Sequence, residues 1–474
     1  MDRYCYGNDR WRIVCFGSAA PVRRAAELLY AVLAQHVSYI PVCEQAPLTA
    51  QARQDSLILL GLAEEKELAP LLQAGGVPEK GYLVRVAQSP FAAGRQIAVL
   101  AGAAAADVLY AAAEFIEDYL PTARRTGTHE PYLRPLFSGR MPLYENRTAP
   151  ACAVRGIWTW GHCIYNVDAF ARQMALMRLN EITIWNDFAP LNLREAVECF
   201  HSYGIHVIFG YSWSWGADVD VRSPEALTQW TQRALEIYER DYAAAGGDGI
   251  YTQLFTETND DTLCGVPIAD AVTQWVNTIG KRLLARYPGL RIQFGLHATS
   301  VKKRLHVLHA VDPSIEIIWE DCGAFPYTYL PECRGSDAET DAFTEKLCTL
   351  RPGCGCGVVL KGQLCLDWTR FEHQKGPYLM GCRSAASFSA REREVSELWH
   401  YVQSRWMENG TVCQHTIAQL ARHHAQVYAL VEDGLLEAGA WLPVALYAQM
   451  LWAPEEPFPA LLRRTAARTD VRMA

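Results

Sequence analysis

From Arg155 onward the chain repeats one phrase: a short β-prone, mostly apolar run that ends in aromatic or charged side chains, then a helical pattern. The runs are RGIWTW (155–160), EITIWND (181–187), IHVIFGYSW (205–213), IYTQLFTE (250–257), LRIQFGLHA (290–298), EIIWED (316–321) and GVVLKG (357–362). YLMGC (378–382) is read as an eighth. Helical patterns fall between them at Val167–Arg178, Leu193–Tyr203, Pro224–Ala244, Ile268–Tyr287 and Ala338–Leu350. Near-continuous apolar strands alternating with helices are buried on both faces, as parallel strands are. Eight such units over about 250 residues have the size of a TIM (β/α)8 barrel. A doubly wound open sheet is the alternative, but it gathers its polar residues at one crevice. Here they close nearly every strand, which favours the barrel.

Those strand ends carry the chemistry. In order they offer Trp158, Trp160 and His162; Trp185, Asn186 and Asp187; Tyr211, Trp213 and Trp215; and Glu257, Asn259, Asp260 and Asp261. His297, then Trp319, Glu320 and Asp321, and then Lys361 follow, with Asp367, Trp368, Glu372 and His373 beyond them. An apolar parallel strand that ends in Phe-Thr-Glu or Trp-Glu-Asp buries charge unless the charge lines a pocket. Asp187 or Asp261 could instead cap a helix, and His297 could be a satisfied core histidine. Two carboxyl groups ringed by Trp suit glycoside hydrolysis, in which one delivers a proton to the leaving oxygen and the other serves the anomeric carbon. Trp faces stack on a sugar ring and raise a neighbouring carboxyl's pKa by desolvation. Glu257 is expected to be the acid and Glu320 or Asp321 its partner. Trp160, His162, Asn186, Asp187, Trp213, Asn259, Asp260, Asp261, His297, Trp319, Lys361, Asp367, Trp368, Glu372 and His373 are candidate sugar contacts.

Ahead of the barrel, residues 1–120 read as a small α+β domain. Strands are expected at Arg12–Phe16, Ser38–Val42 and Ser56–Leu60, a hairpin at Gly81–Val86 and Gln96–Leu100, and helices at Val22–Gln35 and Ala104–Tyr119. The domain holds no GxGxxG or Walker loop, and no cofactor is expected. Residues 121–150 are rich in Pro, Arg and Gly and read as a linker, with the barrel over 151–390. Over 391–474, Arg391–Met407 and Thr411–Leu436 read as helices that pack on the barrel or join two copies in a homodimer.

Half of the 474 residues are apolar and 20% are charged, enough to bury a large core. A net charge of −8 argues against a nucleic-acid partner. The 15 Cys form no CxxC pair, and no metal site is expected. No apolar run reaches the ~18 residues of a membrane span, and the opening MDRYCYGNDRWRIVCF lacks a signal-like core. The expected setting is the cytoplasm, with thiols reduced.

The order of a small domain ending in VLYAAAEFIEDYL and a barrel opening with RGIWTWG resembles hexosaminidase-like glycoside hydrolases. These comprise the β-N-acetylhexosaminidases of family 20, the O-GlcNAcase-like enzymes of family 84 and the α-glucuronidases of family 67. The resemblance implies a carbohydrate substrate ending in an N-acetylhexosamine or a uronic acid, and makes Gly102–Leu120 the last helix of a non-catalytic domain. Family 20 implies adjacent Asp-Glu after the fourth strand, where this chain has Glu257 with Asp260–Asp261. Family 84 implies Asp-Asp, which Asp260–Asp261 matches a few residues late. Glu257 with Glu320 and Asp321 is similar to the α-glucuronidase plan. Two readings from other classes are a sugar-binding barrel without catalysis and a metal-dependent hydrolase or isomerase using His162, His297, Glu257 and Asp321.

Overall fold

The computed structural model describes residues 10–73, 75–127, 136–137, 140–322, 337–363 and 373–474. Six strands form the first sheet: β1 (Trp11–Cys15), β2 (Val42–Gln45), β3 (Ser56–Leu62), β4 (Tyr82–Gln88), β5 (Gln96–Gly102) and β6 (Tyr144–Thr148). Their order is β2-β1-β3-β5-β4-β6, with β4 antiparallel to β5 and to β6 and the other neighbours parallel. The helices Ala20–His36 and Ala105–Glu114 cover one face. Val14, Leu57, Leu59, Val99 and Leu83 fill the other. The expected hairpin is present as β4–β5. The expected linker over 121–150 is corrected, because β6 completes the sheet and Leu136, Phe137 and Met141 are buried in the core. Alternating polar residues hid that edge strand behind its Pro- and Arg-rich approach.

The second unit is a closed parallel barrel: β7 (Arg155–Trp160), β8 (Glu181–Trp185), β9 (His206–Ser212), β10 (Gly249–Gln253), β13 (Ile292–Leu296), β14 (Ile315–Cys322), β15 (Cys356–Gln363) and β16 (Gln426–Val431). A ribbon of β11 (Thr262–Leu263) and β12 (Val266–Pro267) follows β10. Seven strands and the five helices between them lie where the sequence places them. The eighth strand does not. Residues 378–382 are not a strand, and β16 closes the barrel on β7 in the register Val427↔Arg155 to Leu430↔Trp158. The barrel therefore runs beyond 390 to Val431. The two helices expected across 391–436 are one, Ala385–Arg422, followed by β16.

The helix Leu442–Trp452 is buried along its whole length. Its Tyr447 hydroxyl donates to Gly156 O at 2.8 Å, and its Trp452 indole donates to Thr148 Oγ1 at 2.7 Å. Arg155 and Arg178 lie over the Trp452 ring at 5.1 and 4.8 Å, and Arg178 also donates to the Tyr82 hydroxyl at 2.7 Å. The sheet domain and barrel are thus bolted together through one aromatic ring and two guanidinium groups. Among the described residues no helix is long and apolar enough to cross a membrane.

Candidate active site

Side chains alternate faces along a strand, so every second residue of a barrel strand points inward. At the N-terminal end of the barrel this parity gathers Glu181, Arg291, Glu316 and Gln426. Arg291 pairs with Glu181 at 2.5 Å and Glu316 at 2.9 Å, and donates to Gln426 Oε1 at 2.7 Å. That network fills the bottom of the barrel. At the other end the same parity brings Trp160, Trp185, Gln253, His297, Glu320, Lys361 and Glu432 to the mouth, where TIM-barrel chemistry sits.

Glu320 lies at the centre and is only 3% exposed. Its Oε1 accepts from the Tyr251 hydroxyl and the Gln253 amide, and its Oε2 from Lys361 Nζ at 2.9 Å. Gly295 on the neighbouring strand makes this possible, because a Cβ there would occupy the place of the Tyr251 phenol. Burial alone would push the Glu320 carboxyl up. The charges of Lys361 and His297 and the Tyr251 hydrogen bond outweigh it and hold the group at about 2. Burial would likewise strip Lys361 of its proton, but Glu320, with Glu257 beside it, keeps it charged.

Glu257 is 54% exposed on its side chain and accepts from the Trp215 indole N–H at 2.6 Å. His297 Nε2 stands 3.7 Å from Glu257 Oε1 and 3.9 Å from Glu320 Oε2. The two facing carboxylate oxygens are therefore less than about 8 Å apart, below the upper end of the span that glycosidase carboxyl pairs cover. Trp158, Trp160, Trp185 and Trp215 pack as one cluster on the β7–β9 side of the mouth, with centroids 5.6–6.0 Å apart, and Trp215 joins the cluster to Glu257. Below the outer rim, His373 Nδ1 meets Asp187 Oδ2 at 3.0 Å and the Tyr378 hydroxyl donates to Asn186 Oδ1 at 2.8 Å. Gly161 is required there, since a Cβ would strike both groups of the second pair. His162, in the turn after β7, is held near 4 by burial and by Arg383.

The structure thus gathers Glu257, Glu320, His297, Lys361, Trp160, Asn186, Asp187, His162 and His373 at the mouth. It places others elsewhere. Trp319 is the outward neighbour of Glu320 and packs on Phe343 of the helix Asp337–Leu350 at 4.6 Å. Trp213 is fully buried in the outer core against Tyr211. Asn259 and Asp260 are exposed on the loop after β10, and Asp261 pairs with Lys303 at 2.8 Å in solvent. Asp367, Trp368 and Glu372 and the side chain of Asp321 lie outside the described residues. Among the described residues no three His, Cys, Asp or Glu side chains converge as a metal site would require.

Sequence reasoning missed Trp215 as the carboxylate's partner, Tyr251 and Gln253 as inward donors, and Glu432. The last closes β16 in QVYALVED, the same apolar-strand-then-Glu-Asp signature that marked EIIWED. Glu432 is 0% exposed, accepts from Trp160 Nε1 at 3.1 Å, and has a second oxygen with no hydrogen-bond partner among the described residues. Burial raises it to about 8, against the opposing effects of Lys361 and the Trp160 N–H. It therefore carries a proton at neutral pH. Because the folded value lies above the unfolded 4.5, folding takes up a proton between those values and stability falls as pH rises through that window. Glu432→Gln should remove up to about 1.4 kcal/mol of stability loss per pH unit there. Urea unfolding at pH 5 and pH 8 measures it, and parallel pH profiles for variant and parent would refute it.

Among solved structures, the chain is similar to CpGH84D, with a TM-score of 0.52 and 10% identity, covering 96% of this chain and 67% of that one. It is also similar to the GH20 β-N-acetylhexosaminidase from Streptomyces coelicolor A3(2), with a TM-score of 0.51 and 11% identity, covering 97% of this chain and 90% of that one. No family model matches the sequence, and no curated protein does. At these identities the likeness is one of fold. Its coverage takes in both units of this chain: a TIM barrel preceded by a small α+β domain and followed by a helical C-terminal region.

Proposed function

We propose that this protein is a glycoside hydrolase that removes a terminal neutral sugar of the N-acetylhexosamine type. The observation that carries the reading is the pair Glu257 and Glu320, facing one another across His297 beside a cluster of Trp. Glu257 reaches solvent and stands where a leaving group would depart, so it is the group to exchange a proton with the glycosidic oxygen. Glu320 is ionised and fixed by three donors, so its charge is preorganised to stabilise the cationic character that develops at the anomeric carbon. The Trp rings exclude water and offer faces for the sugar.

The charge inventory favours a neutral sugar over a uronic acid. Lys361 is committed to Glu320 at 2.9 Å, and Glu257 adds a second carboxylate beside it. A sugar carboxylate there would meet like charge. The named activity of the Streptomyces coelicolor enzyme supports the same choice. With chromogenic N-acetylglucosaminides, N-acetylgalactosaminides and glucuronides, turnover is expected on at least one of the first two and none on the third. Hydrolysis of the glucuronide alone would overturn the substrate assignment. Binding of sugar without turnover on any substrate would favour a barrel that has lost catalysis.

A further inference from the structure

Outside the Trp cluster the mouth has an apolar lip. The loop after β8 carries Phe188 and Leu191, 48% and 71% exposed, and the segment leading to the helix Ala385–Arg422 carries Leu379, 52% exposed. Apolar side chains this exposed are ordinary when scattered and informative when grouped around a site. These are grouped by hydrogen bonds. Leu191 N donates to Tyr378 O at 2.9 Å, Asn192 Nδ2 donates to Met380 O at 2.9 Å, and Met380 N donates to Asn192 Oδ1 at 2.9 Å. The pairs Asp187–His373 and Asn186–Tyr378 tie the same two segments together on the inner side. The lip is therefore braced before any ligand arrives, and it is continuous with the aromatic funnel through His373, whose ring lies 5.0 Å from Trp160.

We infer that this lip, built from Phe188, Leu191 and Leu379, receives an apolar aglycone, so that the substrate is a glycoside of an alkyl- or aryl-bearing alcohol rather than a purely sugar chain. The inference rests on the glycosidase reading of the mouth. The chemistry follows from position. A sugar seated among the carboxylates directs its leaving group outward past Glu257, and among the described residues Phe188, Leu191 and Leu379 put hydrocarbon beside the Asp187–His373 pair, on segments joined through their backbone groups. A second copy of the chain is the competing occupant, but three side chains offer far less than the ~800 Å² per partner of a stable interface.

The test uses full-length Glu257→Gln, which should bind without turning over, and titrates it calorimetrically with the methyl and hexyl glycosides of the sugar that wild type hydrolyses best, or of N-acetylglucosamine if it hydrolyses none. Burial of the added methylenes should make the hexyl glycoside bind about tenfold tighter or more. Adding Leu191→Asp and Leu379→Asp should bring the hexyl affinity down to that of the methyl glycoside. Both positions are exposed, so the fold tolerates the change, and a thermal melt verifies this. Equal affinities for the two glycosides overturn the inference, as does a hexyl advantage that survives the substitutions. A concentration-dependent dimer in light scattering that Leu379→Asp dissociates also overturns it, by giving the lip to a subunit contact. Failure of the glycosidase reading is seen separately, as absence of turnover by the wild type on every glycoside.

Discussion

Glu257→Gln is expected to lower kcat by 10²–10⁴-fold on a glycoside whose leaving group needs protonation, while the affinity for sugar stays within a few-fold. The amide keeps the shape of the carboxyl and can still meet the Trp215 indole region, but it has no proton to exchange with the glycosidic oxygen. The loss depends on the leaving group. A nitrophenolate departs without help, so hydrolysis of a nitrophenyl glycoside should suffer much less than that of an alkyl glycoside. Because Glu257 is half exposed and stands 3.7 Å from His297, its replacement should leave the melting temperature nearly unchanged. Equal losses on nitrophenyl and alkyl glycosides would remove Glu257 from the role of acid. Full activity on both would remove it from the reaction.

Lys361→Met carries the largest expected effect on stability. It leaves the Glu320 carboxylate, 3% exposed, without its counter-ion. Removing one member of a buried pair costs about 3–5 kcal/mol. The sign of its pH dependence follows from Glu320. In the parent its folded value, about 2, lies below the unfolded 4.5. That difference contributes stability above pH 4.5 and is lost as pH falls towards 2. In the variant burial is no longer opposed by the lysine, the folded value moves upward, and the contribution reverses. The gap between parent and variant should therefore be widest at pH 7–8 and shrink as pH falls towards 4. Urea unfolding at the two pH values measures it. The double variant Lys361→Met/Glu320→Gln should recover part of the loss, because it removes the stranded charge. A loss below about 1 kcal/mol at pH 7.5, or one independent of pH, would show that Tyr251 and Gln253 alone satisfy the carboxylate.

These two predictions concern residues that sequence alone had picked out, and the reason is the kind of signal they gave. A carboxyl or lysine at the end of an apolar parallel strand is conspicuous because burial would penalise it anywhere but at a site. The parity of the strand is less conspicuous. In EIIWED, Glu320 points in and Trp319 points out to Phe343, yet a reading by strand ends treats both as lining. Trp213 and Trp215 share one parity and differ for another reason: β9 ends at Ser212, and the turn through Ser214, at φ +92°, leaves the first sealed in the outer core and takes the second to Glu257. Counting twos from Glu316 through Ile318 to Glu320 would have sorted Glu320 from Trp319; no count separates two Trp residues of equal parity beyond the end of a strand.

The eighth strand failed for another reason. QVYALV is a six-residue apolar run next to a 38-residue helix, and periodicity cannot distinguish so short a buried strand from one more helical turn. Reading it as helix moved the end of the barrel to 390 and hid Glu432 with it. The edge strand β6 was lost to composition, since Pro and Arg nearby outweighed the alternation of YENRT. Asp260–Asp261 shows the limit of motif matching: the resemblance suggested a carboxylate pair, and the loop carries it into solvent, where Lys303 meets Asp261.

The seam between β7 and β16 has a consequence for how the protein is made. Thr159 Oγ1 donates to Val431 O across a separation of 272 residues, so the barrel cannot close until nearly all of it has left the ribosome. At 5–20 residues per second the first strand, RGIWTW, waits on the order of tens of seconds with an unpaired aromatic edge. The last strand to arrive also brings Glu432 into the mouth. Sealing the sheet and completing the pocket are therefore one late event in synthesis, and a nascent chain halted before residue 426 is both open-edged and unable to assemble its site.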